Sequence, residues 1–312
     1  MFEVKGLDSS MCNDVVDVVV VATKNDPHAL VVIDELREQG FSTIRFNLDD
    51  LRSSRIVSDL DRVALEIDGY RHRVDSHSAV WWRYTGQFDV GGLDDDEARL
   101  ALDEAPYLLI GIFSAAGVRF VDPPFSVYRA EIKPLQLSAA RRIGIRTPLT
   151  RLTNDPESAR SFGATMRVVA KAVSPGVGIA PFVAEVRNVD MDYVTPLPTM
   201  LQEMVQAESD VRVVVVGTDA WIWNREREDT TTDWRQVDPR GEGFELNHDH
   251  EIEQQAIALT MELGISMAVQ DWLQTTSGPV FLESNAQGAW LFLGGSESLV
   301  VPAIAKHLAG GR

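Results

Sequence analysis

The opening order of strand, helix and strand constrains this chain more than any other feature. Residues 15–22 form a nearly unbroken apolar run of strand length, as expected for a strand buried on both faces. Asp26-Pro27 then reads as a helix start, with Asp26 as N-cap and Pro27 at the first helical position, where a missing N–H costs nothing. Leu30, Ile33 and Leu36 recur at helical spacing until Gly40, and residues 42–46 read as a second strand. Strands joined through a helix pair in parallel, so the N-terminal part is committed to a parallel α/β unit. A hairpin is expected over 63–67 and 71–74 around Gly69. A strand over 80–84, a helix over 94–116 and a strand over 118–121 complete the unit. The Pro123-Pro124 pair marks its boundary, since two prolines stop helix and sheet alike.

Beyond it the pattern changes. Helices are expected over 134–144 and from Asp155-Pro156 to about Phe162. Strands are expected over 167–173, 182–186, 211–216 and 220–224. Residues 225–243 are rich in charge, Thr and Gly and read as a long loop, a candidate active-site lid. An amphipathic helix over 248–263 ends at Gly264. Residues 267–273 and 280–283 form a hairpin around Ser277-Gly278, and 296–308 is the last helix. The sequence contains no internal repeat.

Charge narrows the choice of partner. Lys and Arg number 29 against 47 Asp and Glu, a formal charge of −18, so a nucleic-acid backbone would be repelled. Any phosphate that binds needs a local cation cluster to overcome that field. The single cysteine, Cys12, can build neither a disulfide framework nor a thiolate metal site, which suits a reducing, cytoplasmic setting. No run reaches the length of a membrane span, and no basic region followed by a long apolar stretch marks a secretory signal.

The acids of the last hairpin carry the chemistry. Glu283 and Asn285 are two apart and share one strand face, while Asp271 lies on the partner strand. Asp271 joins them only if it pairs with Glu283. That requires an odd loop, such as residues 276–278 with Gly278 left-handed; a two-residue loop would set Asp271 against Ser284. Three hard oxygen ligands on one face suit Mg²⁺ held with nucleotide phosphates. The plainer reading is an exposed face with ordinary acids. Val280, Phe281 and Leu282 before Glu283, with Trp290 and Leu291 beyond, argue against it, because acids in an apolar run are seldom left unpaired.

Further candidates lie upstream. Lys171 interrupts the strand Val168-Val169-Ala170-Lys171 and calls for an anion or a route to water. Ser174-Pro175-Gly176-Val177-Gly178 follows, and its glycines would let backbone N–H groups approach a phosphate. An edge lysine before a plain turn is the competing account. Gln202-Glu203-Met204-Val205 sits at a strand end, where backbone groups around Met204 can read an adenine edge. Asp210 can accept from ribose hydroxyls, and a surface turn is the alternative. Arg235, in Asp233-Trp234-Arg235, can clamp a phosphoryl group or form only a weak loop salt bridge.

Together these segments resemble the ATP-grasp ligases that mature ribosomal peptides, the graspetide or microviridin-type macrocycle-forming enzymes, over most of the chain from about Val18 to Leu308. The resemblance is carried by Arg45-Phe46-Asn47-Leu48-Asp49, Val80-Trp81-Trp82-Arg83, Asp122-Pro123-Pro124, Glu131-Ile132-Lys133 with Gln136-Leu137, and Thr153-Asn154-Asp155-Pro156. Its strongest parts are Gln202-Glu203-Met204-Val205 with Asp210-Val211-Arg212-Val213, Asp233-Trp234-Arg235, and Phe281-Leu282-Glu283-Ser284-Asn285 with Gly288 and Trp290. Departures are Tyr84-Thr85 after Arg83, where Arg and Pro are common, Ala286 in place of Pro, and Trp272-Leu273 after Asp271.

The resemblance implies an α/β and α+β chain: an ATP-grasp fold behind an N-terminal Rossmann-like pre-ATP-grasp domain at 1–124, with a central subdomain at 125–200 and a C-terminal one at 201–312. It implies ATP and Mg²⁺ as cofactors, with Lys133 and Lys171 on phosphates and Gln202, Glu203, Met204 and Val205 at the adenine. Asp210 would stand near the ribose, Asp271, Glu283 and Asn285 on the metal, and Arg212 and Arg235 at the reacting phosphate. The implied substrate is a precursor peptide, leader plus core, whose Asp or Glu side chain is phosphorylated and then joined to a Ser or Thr hydroxyl or a Lys amine. A homodimer is compatible with this reading. A RimK-like ligase of amino acids or protein termini would use the same site, and a nucleotide-binding sensor without turnover is the reading from another class.

Overall fold

The computed structural model describes residues 15–83, 88–171, 173, 183–186, 194, 198–227 and 234–310. Cys12, the first residues, Tyr84-Thr85, the loop Ser174 to Gly178 and Asp233 lie outside them. The chain divides into two compact units, Met1–Pro124 with Val301–Arg312, and Phe125–Val300.

In the first unit the valine run becomes β1 (Val18–Ala22), buried at every position. Asp26 caps α1 (Pro27–Glu38), its carboxylate accepting from the His28 and Ala29 N–H groups at 2.9 and 3.3 Å. α1 buries Ala29, Val32, Ile33 and Leu36, and β2 (Thr43–Asn47) returns parallel to β1. A three-stranded antiparallel sheet intervenes: β3 (Ser54–Ser58), β4 (Val63–Ile67) and β5 (Tyr70–Val74). The expected hairpin is β4–β5. The third strand escapes a pattern reading because its two apolar residues, Ile56 and Val57, are adjacent rather than alternating, and Val57 is exposed. β6 (Ala79–Trp82) pairs on the other side of β1, then α2 (Asp95–Ala115) leads to β7 (Arg119–Phe120). The result is a four-stranded parallel sheet in the order β2-β1-β6-β7. Val19, Val21, Phe46 and Trp82 from one face pack with Leu109, Ile110 and Phe113 of α2.

The double proline does not stop everything, as the sequence suggested. Pro124 opens α3 (Pro124–Ala130), because a first helical residue has no intrahelical use for an N–H. The second unit continues with α4 (Lys133–Arg142), β8 (Thr150–Thr153), α5 (Pro156–Gly163), β9 (Val168–Lys171), β10 (Val183–Val186) and β11 (Thr199–Glu203). These strands form an antiparallel sheet in the order β10-β9-β11-β8, with Ala159 of α5 packed on Val168, Ala170 and Leu201.

A five-stranded antiparallel sheet follows: β12 (Ser209–Val216), β13 (Asp219–Glu226), β14 (Glu245–Asn247), β15 (Met267–Thr275) and β16 (Gly278–Asn285), in the order β14-β13-β12-β15-β16. Between β14 and β15 runs α6 (His250–Glu262), capped by Asp249. One sheet face, with Val211, Val213, Val215, Ala268, Trp272 and Phe281, packs on Ile252, Ala256 and Leu259 of α6 and on Leu137 and Ala140 of α4. The loop expected to begin at 225 starts later, since Arg225 and Glu226 belong to β13 and Arg225 pairs across the ladder with Asp210. The last helix, α7 (Ser296–Leu308), carries residues of both units. No helix among the described residues is long and apolar enough to cross a membrane.

Candidate active site

The other face of the five-stranded sheet is charged, and backbone register builds it. Arg212 on β12 faces Asp271 on β15, and Asp271 faces Glu283 on β16, so three ionisable side chains stand in one cross-strand row. Asn285 lies two residues along β16, opposite Val269. The hairpin does not achieve this with an odd loop. Thr275 pairs with Gly278 across a two-residue loop, Thr276-Ser277, and Trp272 pairs with Phe281. A β-bulge then shifts the register between Trp272 and Asp271, so that Asp271 meets Glu283 rather than Leu282. With Phe281 in the core, regular alternation would turn Leu282 to the charged face and bury Glu283 among the valines. The extra residue lets Phe281 and Glu283 both face where their chemistry requires.

The row is tightly bonded. Arg212 donates from Nη1 to Asp271 Oδ1 at 2.6 Å and from Nη2 to the Ala289 carbonyl at 2.7 Å. Arg235 Nη2 lies 3.7 Å from Asp271 Oδ2. Lys133 Nζ, at the start of α4, is 3.3 Å from Glu283 Oε2. Burial pushes the Asp271 carboxyl up; Arg212 pulls against it, and the charge of Glu283 adds to the rise. Burial pushes Glu283 in the same direction, but Lys133, Lys171 and Arg235 outweigh it and bring Glu283 down to about 2. The two carboxyls face each other across the ladder, and a bound cation would relieve their mutual repulsion.

That juxtaposition is the test of fit for a divalent metal. Two carboxylates and an amide on one face, the carboxylates directly opposed across the ladder, are hard oxygen donors suited to Mg²⁺. Among the described residues no three His, Cys, Asp or Glu side chains gather as a metal cage, so a cation here would need Asn285, substrate oxygens or water to complete its shell.

Lys171 ends β9, which lies between β10 and β11, so it is no edge lysine. Its charge is among those lowering Glu283, which ties the four-stranded sheet to the charged row. Gln136, fully buried on α4, fixes the same strand. Its Nε2 donates to the Ser284 carbonyl at 2.6 Å and its Oε1 accepts from the Ser284 N–H at 3.0 Å. Gln136 thus holds β16 midway between Glu283 and Asn285. Gly288 is needed just beyond, because a Cβ there would come within 2.6 Å of Val269 Cβ.

The remaining candidates stand apart from this row. At the end of β11 the Glu203 N–H bonds Leu149 O at 2.8 Å, its carboxylate accepts from the Leu149 N–H at 3.1 Å, and the Met204 N–H bonds Arg167 O at 2.9 Å. Gln202 is buried, with Nε2 3.3 Å from Thr150 Oγ1, and Val205 is half-buried. Asp210 is held by Arg225 at 3.1 Å and Arg227 at 3.5 Å. Burial pushes its pKa up against the pull of those arginines. Sequence reading passed over both arginines, because a charge-rich stretch resembles a loop until the ladder pairs Asp210 with Arg225.

The model of the RimK-like ATP-grasp domain family matches residues 129–296. None of the curated proteins matches the chain by sequence. Among solved structures, the chain is similar to a Chryseobacterium gregarium RiPP-associated ATP-grasp ligase in complex with ADP and a leader and core peptide, with 22% identity, a TM-score of 0.86 and coverage of 95% of this chain and 97% of that one. It is also similar to macrocyclase MdnC bound with precursor peptide MdnA from Microcystis aeruginosa, at 21% identity and TM-score 0.78 over 94% and 99% of the two chains. ATP-grasp ligase PsnB, complexed with minimal precursor, Mg and ADP, aligns at 21% identity and TM-score 0.74 over 95% and 99%.

Proposed function

Because the chain belongs to the RimK-like ATP-grasp family, whose model spans more than half of its length, we propose that it is an ATP- and Mg²⁺-dependent ligase that closes ester or amide links within a ribosomal precursor peptide. The observation that carries this reading is the cross-strand row Arg212, Asp271, Glu283, with Lys133 and Lys171 acting on its acidic end. Similar folds bound to leader and core peptides and to ADP support the substrate class.

In this reading Asp271, Glu283 and Asn285 hold Mg²⁺, which supplies charge neutralisation on the nucleotide phosphates. Lys133 and Lys171 bind phosphate oxygens, Gln202, Glu203, Met204 and Val205 line the adenine, and Asp210 stands near the ribose. Arg212 and Arg235 orient the reacting phosphoryl group. A substrate Asp or Glu carboxylate oxygen takes the γ-phosphoryl, and ADP leaves. A Ser or Thr oxygen or a Lys nitrogen then attacks the acyl carbon, phosphate departs, and the nucleophile's proton passes to solvent or to the phosphate. Holding the two groups side by side supplies much of the rate. The same reading makes the enzyme cytoplasmic, without a nucleic-acid partner, and compatible with a homodimer.

Mass spectrometry tests it. A peptide encoded beside this chain and rich in Thr with Asp or Glu, incubated with enzyme, ATP and Mg²⁺, should lose one water per link, with one ADP and one phosphate released. A mass gain by an added amino acid would favour ligation of free amino acids instead. Nucleotide binding without either mass change would leave only a sensor.

A further inference from the structure

Arg212 and Arg235 reach Asp271 from different parts of the chain, one from the middle of β12 and the other from a single 3₁₀ turn, Trp234–Gln236. Something must hold two long cations on one carboxylate. Ladder pairing holds the Arg212 backbone, but no strand holds Arg235. What the two share is an aromatic cluster. The Arg212 guanidinium carbon lies 5.3 Å from the Phe292 ring centroid, and that of Arg235 lies 4.5 Å from the Trp234 ring. Trp234 in turn packs on Phe292 at 5.8 Å and on Phe244 at 5.0 Å, and Phe244 closes the triangle to Phe292 at 6.3 Å.

The backbone around the cluster leaves room for one ring. Gly241 has φ +69, and a Cβ built there would come within 2.4 Å of Phe292 Cδ2. Asp238 braces the same segment, accepting from the Glu242 and Gly243 N–H groups at 2.9 Å each while facing Arg225 at 3.4 Å. The segment from Trp234 to Phe244 is therefore fitted around Phe292, with one arginine on either side of the cluster.

We propose that Phe292 is a positioning residue: it orients Arg212 directly and Arg235 through Trp234, so that both guanidinium groups meet at Asp271. Aromatic faces attract guanidinium groups, and a packed ring removes rotamers that a long side chain would otherwise explore. The inference rests on the ligase reading for its kinetic consequence, but not for its geometry. Phe292 meets Arg212, Trp234, Phe244 and the backbone at Gly241. Its loss should spare nucleotide binding and slow the step that needs both arginines.

The test uses the full chain and three variants. Phe292→Leu keeps an apolar side chain but removes the ring, Phe292→Tyr keeps the ring, and Gly241→Ala leaves Phe292 in the sequence while driving a methyl group into its place. Phe292→Leu and Gly241→Ala should each lower kcat roughly ten- to hundredfold, the scale of a misplaced catalytic group, with KM for ATP unchanged, and Phe292→Tyr should stay near wild type. Nuclear magnetic resonance of the arginine Nε–Hε groups gives a readout free of turnover. The ring-current shift of Arg212 should be present in wild type and Phe292→Tyr and absent from Phe292→Leu. If the Arg212 signal is the same in Phe292→Leu as in wild type, or if kcat survives with the ring removed, the inference is wrong. A ring-current effect present as expected in a protein that ligates nothing would overturn the ligase reading and leave the positioning geometry standing.

Discussion

The two faces of the five-stranded sheet use the same strands for opposite ends. On one face Val211, Val213, Val215, Trp272 and Phe281 meet α6 in a core with almost no exposed surface. On the other, Arg212, Asp271 and Glu283 form a row of charges across neighbouring strands, and Asp210 pairs separately with Arg225. On β12 and β15 both faces keep the period of two. On β16 the bulge at Leu282 breaks it once, and that exception sets Glu283 beside Asp271. Stability resides in the apolar face, and the proposed chemistry depends on the bulge that sets the charged one.

This contrast can be broken from either side. Glu283→Gln removes a proposed metal ligand and should cut ligation roughly a thousandfold, the several kcal/mol a metal supplies in such a step, an effect beyond what the lost pairing with Lys133 costs in the urea midpoint. Phe281→Ala, one register position away on the apolar face, should do the reverse. Emptying its site costs about 3 kcal/mol or more in chemical unfolding, with kcat per folded molecule near wild type. Acid should sharpen the difference. Glu283 is brought to about 2 from an ordinary 4.5, so its pairing stabilises the fold fully above 4.5 and is lost as the pH falls toward 2. Unfolding followed over that window should show an acid limb that Glu283→Gln flattens. The smallest effect lies away from both faces. Arg142 and Glu262 join α4 to α6 at 2.8 Å in the open, and Arg142→Ala should cost less than about 1 kcal/mol, a loss that salt abolishes.

What the sequence conveyed depended on which signals are local. The β1–α1–β2 opening is legible because caps, a proline at the first helical position and Gly40 all act within a few residues. The oxygen-bearing residues of the last hairpin are legible because acids in an apolar run need an explanation. The route by which Asp271 and Glu283 meet was not, since a bulge leaves no composition mark and parity alone pointed to an odd loop. Likewise, β3 and the end of β13 are polar segments held by their ladder partners, and nothing in Ser54–Ser58 or around Arg225 announces that a partner exists. Phe292 went unnoticed for a related reason: its neighbours Trp234 and Phe244 are about fifty residues away, and only the folded chain assembles them.

The central claim is that Asp271, Glu283 and Asn285 hold a cation against a nucleotide whose phosphates Lys133 and Lys171 bind. Titration calorimetry of ADP into the protein, with and without Mg²⁺, addresses it most directly when wild type and Glu283→Gln are compared. Wild type should bind ADP much more tightly with Mg²⁺ than without it, and Glu283→Gln should lose most of that difference. An equal response to Mg²⁺ in both proteins would contradict the account.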